Sequence, residues 1–153
     1  MGRYYEDIRT RTHRREERTR VKDTQSSRRN VTVRIVQALW IVGYLIGTST
    51  HAADLLLGGT NAYSSFPAPL RLFWILLTVL DPLIVVLILL KKQAGVILGV
   101  VVIVIDVGVN ATVYATIGGL SLFGVLCQTL FGILILVTAR PLSAWFTAIN
   151  RSL

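Results

Sequence analysis

The chain has 153 residues, 53% of them hydrophobic, with a mean hydropathy of +0.62 and a formal net charge of +8. So apolar a composition excludes an ordinary soluble domain of this length. The charge is uneven: residues 1–34 hold eleven Lys/Arg and five Asp/Glu, a net +6, and the five basic and three acidic residues of the remainder make the other +2.

Residues 1–34 read as a basic cytoplasmic tail, polar and mostly flexible. Tyr4, Tyr5 and Ile8 make one short apolar helical patch that does not continue, and Glu16 and Arg20 have the i,i+4 spacing of a helical ion pair. The expected partner of this tail is a bilayer with anionic headgroups, each basic residue near the surface contributing ~1 kcal/mol. Nucleic acid is not expected, because five acids interrupt the basic run and only Tyr4 and Tyr5 could stack on bases. The opening MGRYYE lacks the Ser/Thr of a myristoylation signal.

Four apolar blocks follow, at 35–57, 72–90, 94–117 and 120–139. Each is close to the ~20 residues that cross a hydrocarbon core of ~30 Å. They are continuous rather than alternating, which predicts helices and not barrel strands. The expected fold is an all-α integral membrane protein, a four-transmembrane-helix antiparallel bundle with short loops. KKQAG after the second block and GG at 118–119 are turns short enough to force neighbouring helices antiparallel. The uncharged loop GGTNAYSSFPAPL carries Tyr63 and Phe66, which with Trp74 suit a membrane interface. A signal peptide cleaved near TSTHA is not expected, because the basic region before the first block is too long. The tail, Lys91, Lys92, Arg140 and Arg151 fall on one side and only Arg71 on the other. The positive-inside rule therefore predicts cytoplasmic N- and C-termini, in a plasma or inner membrane. Residues 140–153 are expected as a short cytoplasmic segment. Trp145, Phe146 and Ile149 would form the apolar face of an interfacial helix. The single cysteine, Cys127, allows no intrachain disulfide and no cysteine metal cluster.

Each block carries a polar or small-residue stripe at helical spacing. Gln37, Tyr44, Thr48, His51 and Asp54 mark the first, and Trp74, Thr78 and Asp81 the second. Gly95, Gly99, Asp106 and Asn110 mark the third, and Ser121, Gln128 and Gly132 the fourth. An aspartate at the centre of a membrane helix costs ~2.5–3.5 kcal/mol on the insertion scale, so Asp81 and Asp106 should face the bundle interior. Gly43 with Gly47, and Gly95 with Gly99, are G-x-x-x-G pairs that let helix backbones approach closely. Pro82 cannot donate to the carbonyl of Thr78, so a kink beside Asp81 would widen the bundle at mid-depth.

Asp81 and Asp106 lie at mid-helix, Asn110 one turn outward, Gln128 outward of centre, and His51 and Asp54 in the outer third. The inner half is almost wholly apolar. This depth profile predicts a pocket opening outward, lined by Asp81, Asp106, Asn110, His51, Asp54 and Gln128. Such a pocket suits a small apolar or amphipathic, cationic ligand, or a lipid. Two nearby carboxylates, one protonated and one charged, can hold a cation or pass a proton, with His51 as relay. In architecture this resembles the small four-helix membrane families of the DoxX and EXPERA type. EXPERA members place acids on membrane helices around a lipid-sized pocket. The likeness is architectural and carries no function over. Two alternatives remain open: an ion- or proton-coupled transporter or channel subunit, as a homo-oligomer, and a structural subunit of a membrane complex. No catalytic residue is assigned and whether the protein is an enzyme stays open. No cofactor is expected, and no metal, since one His with scattered carboxylates is a weak ligand set.

Overall fold

A computed structural model of the protein describes residues 2–151, and side chains at 17, 18, 20, 21, 25, 27–59 and 61–151. The apolar patch at Tyr4, Tyr5 and Ile8, and the Glu16 half of the Glu16–Arg20 pair, lie outside the described side chains. The elements are α1 (Gly2–Gly58), a single 3₁₀ turn (Gly59–Asn61), α2 (Ala68–Leu89), α3 (Gln93–Thr116) and α4 (Leu122–Asn150). The fold is all-helical, and each of the four helices is long and apolar enough to cross a membrane.

The chain divides into two compact units, residues 1–35 and 36–153. The first is helical from Gly2, through the segment expected as a mostly flexible tail. No Gly or Pro occurs between Gly2 and Gly43, so nothing in the local sequence breaks a helix there.

In the second unit the short turns set antiparallel neighbours. At the α2–α3 turn Lys91 adopts φ 52°. Lys92 N–H bonds Leu87 O at 2.9 Å and Lys91 N–H bonds Ile88 O at 3.0 Å, the reverse-turn pattern of a helix C-terminus. At the α3–α4 turn Gly118 and Gly119 both have positive φ (80° and 82°), which glycine alone adopts without strain. Helix α3 lies against both α2 and α4. The G-x-x-x-G residues sit at close approaches. A Cβ on Gly95 would lie 2.7 Å from Leu87 Cβ and 2.9 Å from the Leu87 carbonyl carbon, so α3 there touches the backbone of α2. Gly43 is covered by the Phe131 ring of α4, and Gly99 by Trp40, Tyr44 and Ile84.

One end of the bundle is sealed by Trp40, Ile84, Ile88, Ile135, Leu142 and Phe146, all fully buried. Exposed Leu39, Ile46, Val79, Ile97, Leu130 and Val137 leave an apolar outer surface, as expected where lipid is the solvent.

Helix α4 departs from its expected bounds. It runs on through Pro141 to Asn150 and does not stop near 139. Pro141 has a helix-compatible φ and forfeits only the bond to the carbonyl of Val137. Burial of Leu142, Trp145 and Phe146 offsets that loss. Trp145 and Phe146, expected to lie on the membrane surface, pack instead against protein. The Lys91 ammonium sits 5.4 Å from the Trp145 ring centre. Gln93 ties the start of α3 to Ser143 and Thr147, its Nε2 donating to Ser143 O and Thr147 Oγ1 at 2.6 Å each and its Oε1 accepting from Ser143 Oγ at 2.7 Å.

Candidate functional site

The polar stripes meet inside the second unit. Trp74 of α2 donates Nε1–H to Asn110 Oδ1 at 2.9 Å. Asn110 Nδ2 donates to Asp106 Oδ1 at 3.1 Å, one helical turn away, and to Gln128 Oε1 of α4 at 2.8 Å. Gln128 Nε2 donates to Asp106 Oδ2. Both oxygens of Asp106 thus accept from amides, and α2, α3 and α4 are joined by a closed set of bonds. Asp106 is 7% exposed.

Asp81 differs. It is 5% exposed, yet it receives no hydrogen bond from any described residue. One of its oxygens rests on α1 at Gly47, where an added Cβ would lie 2.6 Å from Oδ2. Asp106 and the Tyr44 phenol are within electrostatic range of it. The Tyr44 hydroxyl is committed elsewhere, donating to Gly99 O at 2.6 Å. One turn before Asp81, Thr78 Oγ1 is buried without a hydrogen-bond partner. Other membrane-helix hydroxyls, at Thr48, Thr129 and Thr138, bond the carbonyl four residues back. Pro82 has no N–H for the carbonyl of Thr78. Three oxygen-bearing groups are therefore left together along one turn of α2: a carboxylate, a hydroxyl and a main-chain carbonyl without its helical donor. Polar groups this deep usually have partners.

No protein family, characterised protein or solved structure matches this chain. The architectural resemblance to small four-helix families therefore gains no support from similarity, and the site must be read from its own chemistry.

At the end of the bundle nearest the α1–α2 connection, His51 and Asp54 of α1 are brought together through Tyr63 rather than directly. Tyr63 OH donates to Asp54 Oδ2 at 2.8 Å. Its one hydrogen is thereby used, so it accepts from His51 Nδ1–H at 3.2 Å. Tyr63 has φ 57°, a left-handed conformation uncommon for an aromatic residue. Burial first, then the bond to Asp54 and its charge, push the Tyr63 phenol above its ordinary value, so it stays a donor. The Tyr63 and Phe66 rings flank Trp74 at 5.1 and 4.9 Å between centroids. This aromatic cap sits beside the Trp74–Asn110 bond. The two hollows that stand out lie elsewhere: one between α3 and α4 beside Arg140, one on α1 along Val42, Ile46 and Ser49. The outward-opening pocket lined by the acids is neither of them.

Of the expected site residues, Asp106, Asn110 and Gln128 form one network, His51 and Asp54 a second, and Asp81 stands apart from both. Among the described residues no three His, Cys, Asp or Glu side chains gather as a metal-ligand set. Sequence reasoning placed Trp74 on the polar stripe of the second helix and, with Tyr63, suited it to the membrane interface, but missed their bonds to Asn110 and Asp54. It also missed Trp40, which donates to Thr138 Oγ1 at 2.9 Å. For Trp40 the usable signal was spacing: it precedes Tyr44 by one helical turn on the stripe side.

Proposed function

We propose that the protein binds the cationic head of a small amphipathic molecule at Asp81, within the membrane. The observation that carries this reading is the cluster of polar groups on α2 without hydrogen-bond partners: Asp81, the Thr78 hydroxyl and the Thr78 carbonyl that Pro82 leaves without its helical donor. A lone carboxylate at mid-helix is expensive in hydrocarbon, and a bound cation removes that cost. Asp106, already satisfied by Asn110 and Gln128, contributes negative potential without needing to move. The apolar faces of the surrounding helices suit the rest of such a ligand.

A transporter reading is less favoured, because the layer beyond Asp81 is built of the fully buried, apolar Ile84, Ile88, Ile135 and Phe146. A purely structural role is less favoured too, because a network kept for assembly would not leave Asp81 without a donor. The Lys/Arg distribution supports cytoplasmic termini in a plasma or inner membrane. Approach from the opposite side would pass the cap of Tyr63, Phe66 and Trp74.

The test is equilibrium binding in nanodiscs of an alkyltrimethylammonium and of the neutral alcohol of equal chain length. Saturable binding with preference for the cation, lost in Asp81→Asn, is expected. Equal binding of cation and alcohol, or a preference that survives Asp81→Asn, would count against the proposal.

A further inference from the structure

A second site lies on the outer surface of the bundle. A hollow of about 440 Å³ runs between α3 and α4, walled by Val96, Val100 and Ala144, with Ser143 and Arg140 among its lining residues. Its depth follows from the helix itself. Arg140 is eighteen residues beyond Leu122, where α4 begins, which at 1.5 Å per residue is about 27 Å along the axis. The hydrocarbon core is ~30 Å thick. Arg140 therefore sits at the far edge of the apolar layer, and the hollow extends from it into the layer along the first turns of α3.

Arg140 is exposed and makes no ion pair among the described residues. No Asp or Glu follows Asp106 anywhere in the chain. Lys91 and Lys92 add positive charge at the same end, where Asn150 Nδ2 of α4 donates to Lys91 O at 3.3 Å. An apolar groove that starts at an unpaired guanidinium on the membrane edge is complementary to one class of molecule. The acyl chain fills the groove and the phosphate takes bidentate bonds from arginine. We infer that this α3–α4 groove binds an anionic phospholipid, with Arg140 on its phosphate and the chain against Val96, Val100 and Ala144. Basic pockets between membrane helices commonly hold such headgroups.

The test uses the full chain in nanodiscs containing phosphatidylglycerol or phosphatidylcholine, each with a photoreactive diazirine on the acyl chain, and maps cross-links by peptide. Phosphatidylglycerol should label residues 96–101 and 139–144 about fivefold more than phosphatidylcholine, the gain from one basic residue near the headgroup. Arg140→Gln should bring the two lipids to the same level. Ala144→Leu fills the hollow from an exposed position with the charge intact, and should move cross-links of both lipids off the groove. Asp81→Asn should leave the pattern unchanged, which separates this site from the one above. Equal labelling by both lipids, labelling spread evenly around the bundle, or a preference untouched by Arg140→Gln would overturn the inference. Displacement of the cross-links by excess inorganic phosphate would also overturn it, because the groove would then read a free anion.

Discussion

Replacing each buried aspartate by asparagine should have opposite consequences, although the two substitutions are chemically the same. Asp106 accepts from Asn110 Nδ2 and from Gln128 Nε2. In Asp106→Asn one of those acceptors becomes an NH₂ group facing another amide N–H. Turning the Gln128 amide to accept would break its bond from Asn110, which in turn holds Trp74. One interhelical bond is lost, at ~0.6 kcal/mol on average in membranes, and one buried amide is left unsatisfied, at ~1–3 kcal/mol. The expected loss is about 2–4 kcal/mol. Asp81→Asn removes no hydrogen bond made by a described residue and lessens the burden of an acid in hydrocarbon, so stability should change by less than about 0.5 kcal/mol or rise. Equilibrium unfolding in mixed micelles, followed by the fluorescence of buried Trp40 and Trp74, measures both. A loss in Asp81→Asn as large as that in Asp106→Asn would mean Asp81 is a hydrogen-bonded structural residue. The unpartnered cluster on α2 would then be refuted.

Two further expectations test the frame around the site. Gly95→Ala places a methyl 2.9 Å from the Leu87 carbonyl carbon and must separate α2 from α3, which should lower stability by about 1–3 kcal/mol. Gly108→Ala, whose Cβ would meet nothing within 4 Å, should be neutral or stabilise by about 0.5–1 kcal/mol through helix propensity. Thermal unfolding of the two variants side by side would expose the bundle packing as wrong if Gly108→Ala were the worse. At the cap, the Tyr63 phenol is raised above its ordinary value of 10.0, so its neutral form is the one the fold favours. The contribution of the Tyr63–Asp54 bond is fully present below pH 10 and is lost as pH rises through the raised value. A tyrosinate difference titration of wild type against Tyr63→Phe should show no ionisation of Tyr63 below pH 10. Ionisation under that pH would contradict the Tyr63–Asp54 bond.

The bundle was legible because membrane helices announce themselves by continuous apolar length, a signal that survives without knowledge of packing. Its limits were less so. Arg140–Pro141 reads as a helix end, and only the burial of Leu142 and Phe146 explains why α4 continues. The Asp106–Asn110 bond followed from spacing on one helix. The Gln128 and Trp74 partners required knowing which helices meet. The aromatic cap was hidden for a related reason: Tyr63 and Phe66 suit an interface by composition, and nothing in composition says that they turn inward onto Trp74. The separation of Asp81 from Asp106's network was beyond sequence altogether, since both acids look alike on their helices. What distinguishes them is the supply of amide donors around each.

Native mass spectrometry of the protein extracted directly from membranes, wild type beside Asp81→Asn, bears most directly on the ligand site. Wild type should carry one small cationic molecule per chain, and Asp81→Asn prepared in the same way should be free of it. A wild-type spectrum without any bound species, or the same adduct on Asp81→Asn, would contradict a cation site at Asp81.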